Sequence, residues 1–380
     1  MQLALTVIGR RNANQRQVEA AWPKALANKT IWPFDLTRPL FPAKKVNQGE
    51  LDFYKRSLRS WKQSFRTYSG YRIDLRGANL QRAVLSSNDD MAEESVFSGA
   101  RFEYARLDGA YLKGANLTGA WLRYSTINGA TFREARLDAA TLSFSKGECA
   151  NFTNASMNGS TLMQVSLNGA NISRAELIDA DMREMSLNLV NAQKALLLRA
   201  KLRRAKAQFS CLRDAQLSWA DLFESSLAYV DLRKSRLEYA NIGKAYLDFS
   251  DFGNARLQGA NLASATARNA LFFNTRLEGA NLRQANFCRT TFNKAKFDKL
   301  TNIQGAFFQN AALKNVNLLS VVNVDSSIAA TFGDDSVAIN NPPEHWPKWI
   351  LPKEGENAFK AEWRKWQANP NTYTPPPKPE

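Results

Sequence analysis

The chain holds a single histidine, His345, and three cysteines, Cys149, Cys211 and Cys288. A catalytic imidazole needs a carboxylate or nucleophile placed to share its proton, and nothing near His345 supplies one at a recognisable spacing. His345 sits beside Trp346, so a structural or exposed role is expected. The cysteines are odd in number and spaced like neither a disulfide framework nor a zinc site, which points to a reducing, cytoplasmic setting. No Gly-rich phosphate loop or nucleophile elbow occurs, and the carboxylates are scattered among basic neighbours. These residue types assign no catalytic residue, no metal and no cofactor, and the chain reads as a non-enzyme.

What positions the side chains is a repeat. From Phe97 to Phe297 every fifth position can be read without a gap, and 37 of these 41 residues are Leu, Phe, Ile or Met. The exceptions are Gly147, Ala192, Ala207 and Ala267. Two residues before each, the same 41 repeats hold 27 Ala, 8 Ser, 3 Val, 2 Thr and Met185. A period of five buries both positions in neither a helix nor a flat strand. A chain that turns a corner every five residues does, with the large residue inward at mid-side and the small one near the corner. Twenty residues then close one square coil, and coils stack at the ~4.8 Å strand spacing.

The stretches Ala115-Asn116-Leu117, Ala260-Asn261-Leu262, Ala280-Asn281-Leu282 and Ala220-Asp221-Leu222 resemble the A(D/N)LXX motif of the pentapeptide-repeat family. That resemblance implies an all-β solenoid, a right-handed quadrilateral β-helix, over about two thirds of the chain. The array is expected over 71–320 as one β-helix, with a polar loop insertion at 86–94 and a one-residue register shift near 300.

Solenoid ends need cover. Over 1–70, Trp22-Pro23 and Trp32-Pro33 mark an irregular segment. After it, Leu51, Tyr54, Leu58, Trp61, Phe65 and Tyr68 form the stripe of an amphipathic helix at 48–68. Its other face is basic, with Lys55, Arg56, Arg59, Lys62 and Arg66. Capping of the first coils is the expected role, and peripheral membrane contact is the alternative. No apolar run reaches the ~18 residues of a membrane span. The flank 321–380 reads as a loop to 355, a short helix carrying Phe359, Trp363 and Trp366, and a Pro-rich tail.

The net charge is +16, divided as +9 in 1–70, +9 in 71–320 and −2 in 321–380. Residues twenty apart stack, so Arg236, Arg256, Arg276 and Lys296 form a ladder beside Glu238, Gln258, Glu278 and Asp298, a solvated salt ladder. The coil 194–213 holds seven cations and no acid except in its neighbours. There Lys201 lies between Asp181 and Asp221, Arg203 lies between Arg183 and Phe223, and Arg204 follows. Ile178, Leu196 and Leu198 break the polar rule for outward positions and are expected to form an exposed apolar patch rimmed by those cations, for a partner protein or a second copy. Leu271 and Phe273 form a second such patch. The reading is a non-catalytic scaffold that presents a rigid surface to a protein partner. Two alternatives stand beside it. Some pentapeptide-repeat proteins mimic DNA toward type II topoisomerases, which the basic array disfavours, although Asp231, Asp248 and Asp251 form a small acidic cluster. The other is nucleic-acid or anion binding through the coil 194–213.

Overall fold

In the computed structural model, described for residues 34, 36–41, 48–68, 72–86, 96–322, 324, 326–352 and 356–378, the chain forms two compact units, Met1–Met182 and Arg183–Glu380. The expected irregular segment over 1–33 and the loop insertion at 87–94 lie outside the described residues. Both units are built of the same right-handed quadrilateral β-helical coil. Within the first, parallel bridges run from Asn116 to Arg136 and on to Ser156; within the second, from Gln216 to Arg236 and on to Arg256.

Each coil satisfies its backbone by rule. Leu257 N donates to Arg276 O in the following coil at 2.8 Å, and Arg256 N donates to Ser235 O in the preceding one at 2.9 Å. The corner closes with Ala260 N on Leu257 O at 3.0 Å. Every fifth residue from Gly99 to Lys294 has positive φ, so each corner is a type II turn with its third residue left-handed. One amide per side remains, that of the residue after the inward one. A side chain takes it: Thr153 N donates to Asn151 Oδ1, Gly253 N to Asp251 Oδ1 and Ala263 N to Asn261 Oδ1, at 2.8–3.2 Å. Where that position lacks Asn or Asp, the preceding coil lends one, as Asp108 does to Asn128 N and Asp248 to Arg268 N. The Asn or Asp of the motif is thus a backbone acceptor, required because a buried or half-buried N–H without a partner is costly.

The inward side chains are buried, with Phe252, Phe272 and Phe292 stacked at 4.7 and 5.0 Å. Gly147 sits in an inward position because Ile127 and Leu167 already fill it: a Cβ there lies 2.7 Å from each. The register shift is absorbed by Asp298, whose Oδ1 accepts from the amides of Gly279, Leu300 and Thr301 at 2.8–3.0 Å. Across it, strand β1 (Thr291–Asn293) pairs with β2 (Ala312–Lys314), twenty-one residues on.

Helix α1 (Gln48–Thr67) does not lie across the open end of the core. It runs down one corner of the first unit, the column Gly99, Gly119, Ala139, Gly159 and Asp179. A Cβ on Gly119 lies 2.8 Å from the Phe34 ring and 3.2 Å from Phe65; one on Gly159 lies 2.8 Å from Lys62. The column is small because aromatic side chains fill it. Tyr54 and Arg38 hold the Asp179 carboxylate, and Lys62 Nζ donates to Asp179 O. At the other end Arg72 donates to Phe65 O and Gly99 O, with its guanidinium over the rings of Phe34, Tyr68 and Trp121; burial draws its pKa down to about 10. The apolar stripe is spent on that corner, so the helix covers the first coils along their side and not across the open end, while Phe53 of the same helix stays 67% exposed. Among the described residues no helix is long and apolar enough to cross a membrane.

Coils continue past 320, where a loop was expected: Ala312 pairs with Phe332 and Asn317 with Ala338. A 3-10 turn at Ser326–Ala330 interrupts the five-residue period there. Helix α2 (Glu356–Ala368) packs Phe359 and Trp366 on Phe332, and Trp363 Nε1 and Gln367 Nε2 both donate to Asn310 O at 3.0 Å. His345 belongs to this packing. Its Nε2 lies 2.6 Å from Thr331 O, its ring stacks on Trp366 at 5.0 Å, and burial lowers its pKa.

Candidate interaction surfaces

Outward side chains next to an inward residue are sandwiched between like positions one coil away, so they lose much of their surface even when apolar. This corrects the expected exposed patch. Ile178, in the first unit, and Leu196 and Leu198, in the second, are all half-buried. Ile178 is pinned through its N–H to Asn158 Oδ1 at 3.0 Å. Leu271 and Phe273 do emerge, at 47% and 41% exposed, because Gly253 lies in the coil before Phe273.

Three of the seven cations of the coil 194–213 find acids in the coil that follows. Arg203 lies 3.6 Å from Asp221 with its guanidinium 4.8 Å over Phe223, Arg204 Nε donates to Glu224 at 2.9 Å, and Arg213 pairs with Asp231 at 2.7 Å. Lys201 is exposed and bridges in register with Asp221; Arg183 is half-buried. The acidic cluster is neutralised in the same way. Burial raises the Asp231 pKa, but hydrogen bonds from Arg233 and Arg213 outweigh it and hold the carboxyl well below its usual range. Asp251 lies 3.4 Å from Arg233, and Asp248 lies 2.6 Å from Arg268. The salt ladder forms as read, with Arg236 and Arg256 on Glu238 and Arg276 on Glu278, except that Asp298 serves the register-shift turn.

The residues that do project are the left-handed corner residues, and several are aromatic. In the first unit Tyr104, Tyr124 and Phe144 stack at 5.1 and 5.0 Å with planes 8° and 7° apart. In the second, Phe209, Tyr229 and Phe249 stack at 4.7 Å per step, and Trp219 stacks on Tyr239 at 4.5 Å. Phe209 is 57% exposed, and Tyr229 and Phe249 are each 48% exposed. A left-handed non-glycine residue costs about 1–2 kcal/mol, so three cost about 3–6. Two stacked pairs return about 1–3 kcal/mol. Stacking and the burial of about half of each ring offset that backbone cost, and what the rings add over glycine is exposed apolar surface. Sequence reading confined to the inward residue and its two neighbours passes over these rings; their signal is recurrence of an aromatic every twenty residues two places past the inward one.

The clefts gather little chemistry. One of about 500 Å³ near the last coil is lined by Leu318, Val321, Val324, Ile328 and Ile339, with Asn340 and Asn341 at its edge. Among the described residues no three His, Cys, Asp or Glu side chains are placed to hold a metal ion together.

A family model for pentapeptide repeats matches in eight copies, over residues 95–133, 115–146, 148–183, 215–248 and 270–300. No curated protein matches the chain significantly. Among solved structures, HetL, a pentapeptide repeat protein involved in heterocyst differentiation regulation from the cyanobacterium Nostoc sp. strain PCC 7120, is 24% identical over 72% of this chain and 97% of its own, with a TM-score of 0.31. Trypsin-treated QnrB1, a plasmid-mediated fluoroquinolone resistance protein, is 22% identical over 53% of this chain and 91% of its own, with a TM-score of 0.29. The pentapeptide repeat protein Rfr23 from the cyanobacterium Cyanothece 51142 is 24% identical over 39% of this chain and 90% of its own, with a TM-score of 0.17.

Proposed function

Because the chain belongs to the pentapeptide-repeat family, whose fold turns every polar backbone group into scaffold, we propose that it is a non-catalytic protein that binds a protein partner through its exposed corner aromatics. The observation that carries this reading is the set of large, stacked and exposed rings held in left-handed corners. A rigid coil presents them with little ordering cost on binding. Aromatic centres with polar rims are the composition of interface cores. The pairing of Arg203, Arg204 and Arg213 with acids weighs against an anion site in the coil 194–213, and the pairing of Asp231, Asp248 and Asp251 weighs against DNA mimicry.

The test is quantitative affinity capture from the native host with three baits. In the first variant Tyr104, Tyr124, Phe144, Phe209, Tyr229 and Phe249 become Asn, which tolerates left-handed φ. In the second, Lys201, Arg203 and Arg204 become Ser. The expected result is a partner captured by the wild type and by the second variant and lost by the first. Capture that survives in the first and disappears in the second reverses the assignment in favour of the basic coil.

A further inference from the structure

The second unit carries one apolar column without a break: Leu189, Phe209, Tyr229 and Phe249 occupy successive coils of a single corner, and Leu189 is 66% exposed. Leu271 continues it beside the same corner, one coil above Asp251. The exposed area is on the order of a few hundred Å², the size of the largest patches that monomers carry. Resting on the reading of the corner aromatics as a binding surface, we propose that this column is occupied by the same column of a second copy of the chain, related by a twofold axis through Tyr229.

Three features select a second copy. The first is charge. Two chains of net charge +16 repel unless they meet where the local charge cancels. The sides flanking this column carry Arg213, Arg233 and Arg268 paired with Asp231, Asp248 and Asp251, so that of the cations around it only Lys206 and Arg289 lack an acid among these pairs and most of the local charge cancels. The second is spacing. The rings rise at 4.7 Å per coil, so an antiparallel copy presents the same interval and stays in step along the whole column.

The third is shape. Leu189 projects two coils below Tyr229, and two coils above Tyr229 the column is interrupted by Asn269. There a cleft of about 330 Å³ is bounded by Phe249, Arg268, Asn269, Cys288 and Arg289. With the axis through Tyr229, each Tyr229 meets its counterpart and Phe209 of one copy meets Phe249 of the other. Leu189 of one copy then enters the cleft of the other. The contact is isologous and closes on itself as a dimer.

Sedimentation velocity of the full chain over a wide concentration range tests this. The wild type is expected to form a reversible dimer, weakened at least tenfold by the triple variant Phe209→Asn, Tyr229→Asn and Phe249→Asn, with circular dichroism unchanged. Added salt should leave the dimer intact or strengthen it, since its core is apolar and screening weakens the repulsion between two chains of net charge +16. A second variant guards against misfolding of the first: with Cys149, Cys211 and Cys288 replaced by Ser, Tyr229→Cys should yield a disulfide-linked dimer on oxidation. A wild type that stays monomeric at every concentration, equal association by wild type and triple variant, or no cross-link through position 229 overturns the proposal. Host-partner capture through the corner aromatics by a monomeric wild type leaves the functional reading standing and removes only the second copy.

Discussion

Gly119→Leu is expected to release helix α1 from the first unit, and Gly114→Leu is not. Both glycines have positive φ, at 64° and 66°, so both substitutions incur the same left-handed penalty of about 1–2 kcal/mol. They differ in surroundings. A Cβ on Gly114 meets nothing within 4 Å, whereas one on Gly119 lies 2.8 Å from Phe34 and 3.2 Å from Phe65, inside the cluster of Phe34, Trp61, Phe65 and Tyr68. Each of these aromatics contributes about 1.5–3 kcal/mol through its burial, so displacing the cluster destabilises the helix dock by several kcal/mol. Limited proteolysis and urea unfolding followed by tryptophan fluorescence read the difference: early cleavage within 48–68 for Gly119→Leu alone. Equal behaviour of the two variants would mean that the helix does not depend on the glycine column.

Phe272→Ala is expected to destabilise the second unit by about 3–5 kcal/mol, the range for emptying a buried phenylalanine site. Phe272 is fully buried, stacked between Phe252 and Phe292 and met edge-on by Phe287 at 5.8 Å. No neighbour can collapse into the space, because hydrogen bonds to the coils on both sides hold the backbone. The adjacent Phe273 is outward and touches Lys294 at 5.7 Å from ring to ammonium, a contact of about 0.5–1 kcal/mol. Phe273→Ala should therefore shift the unfolding midpoint only slightly. Similar losses for the two would contradict the alternation of inward and outward residues.

That alternation was legible in the sequence, because period five with large residues at 97, 102 and onward admits few other burial schemes. The same regularity exposed the shift near 300, though not that Asp298 absorbs it by accepting three amides. The amphipathic stripe of α1 was legible too, but its docking place was not. Gly99, Gly119, Ala139 and Gly159 are far apart in the chain and become one groove only when it is wound twenty residues to the coil. Leu196 and Leu198 misled because polarity rules treat outward as exposed, whereas stacking half-buries whatever flanks the inward residue. The corner rings are hard to read for the converse reason: the left-handed position two past the inward residue holds many residue types besides glycine, so its content carries information only as a column. The start of the flank 321–355 reads as loop because the 3-10 turn at Ser326–Ala330 breaks the period while Phe332 and Ala338 still pair with the preceding coil.

The claim that the protein works through its corner aromatics is tested most directly by amide hydrogen exchange of the full chain, alone and with a captured partner. Protection should rise in peptides spanning the corners 104–144 or 209–249, with exchange elsewhere in the coils unchanged. Protection confined to residues 194–204, or to helix α1, would contradict it.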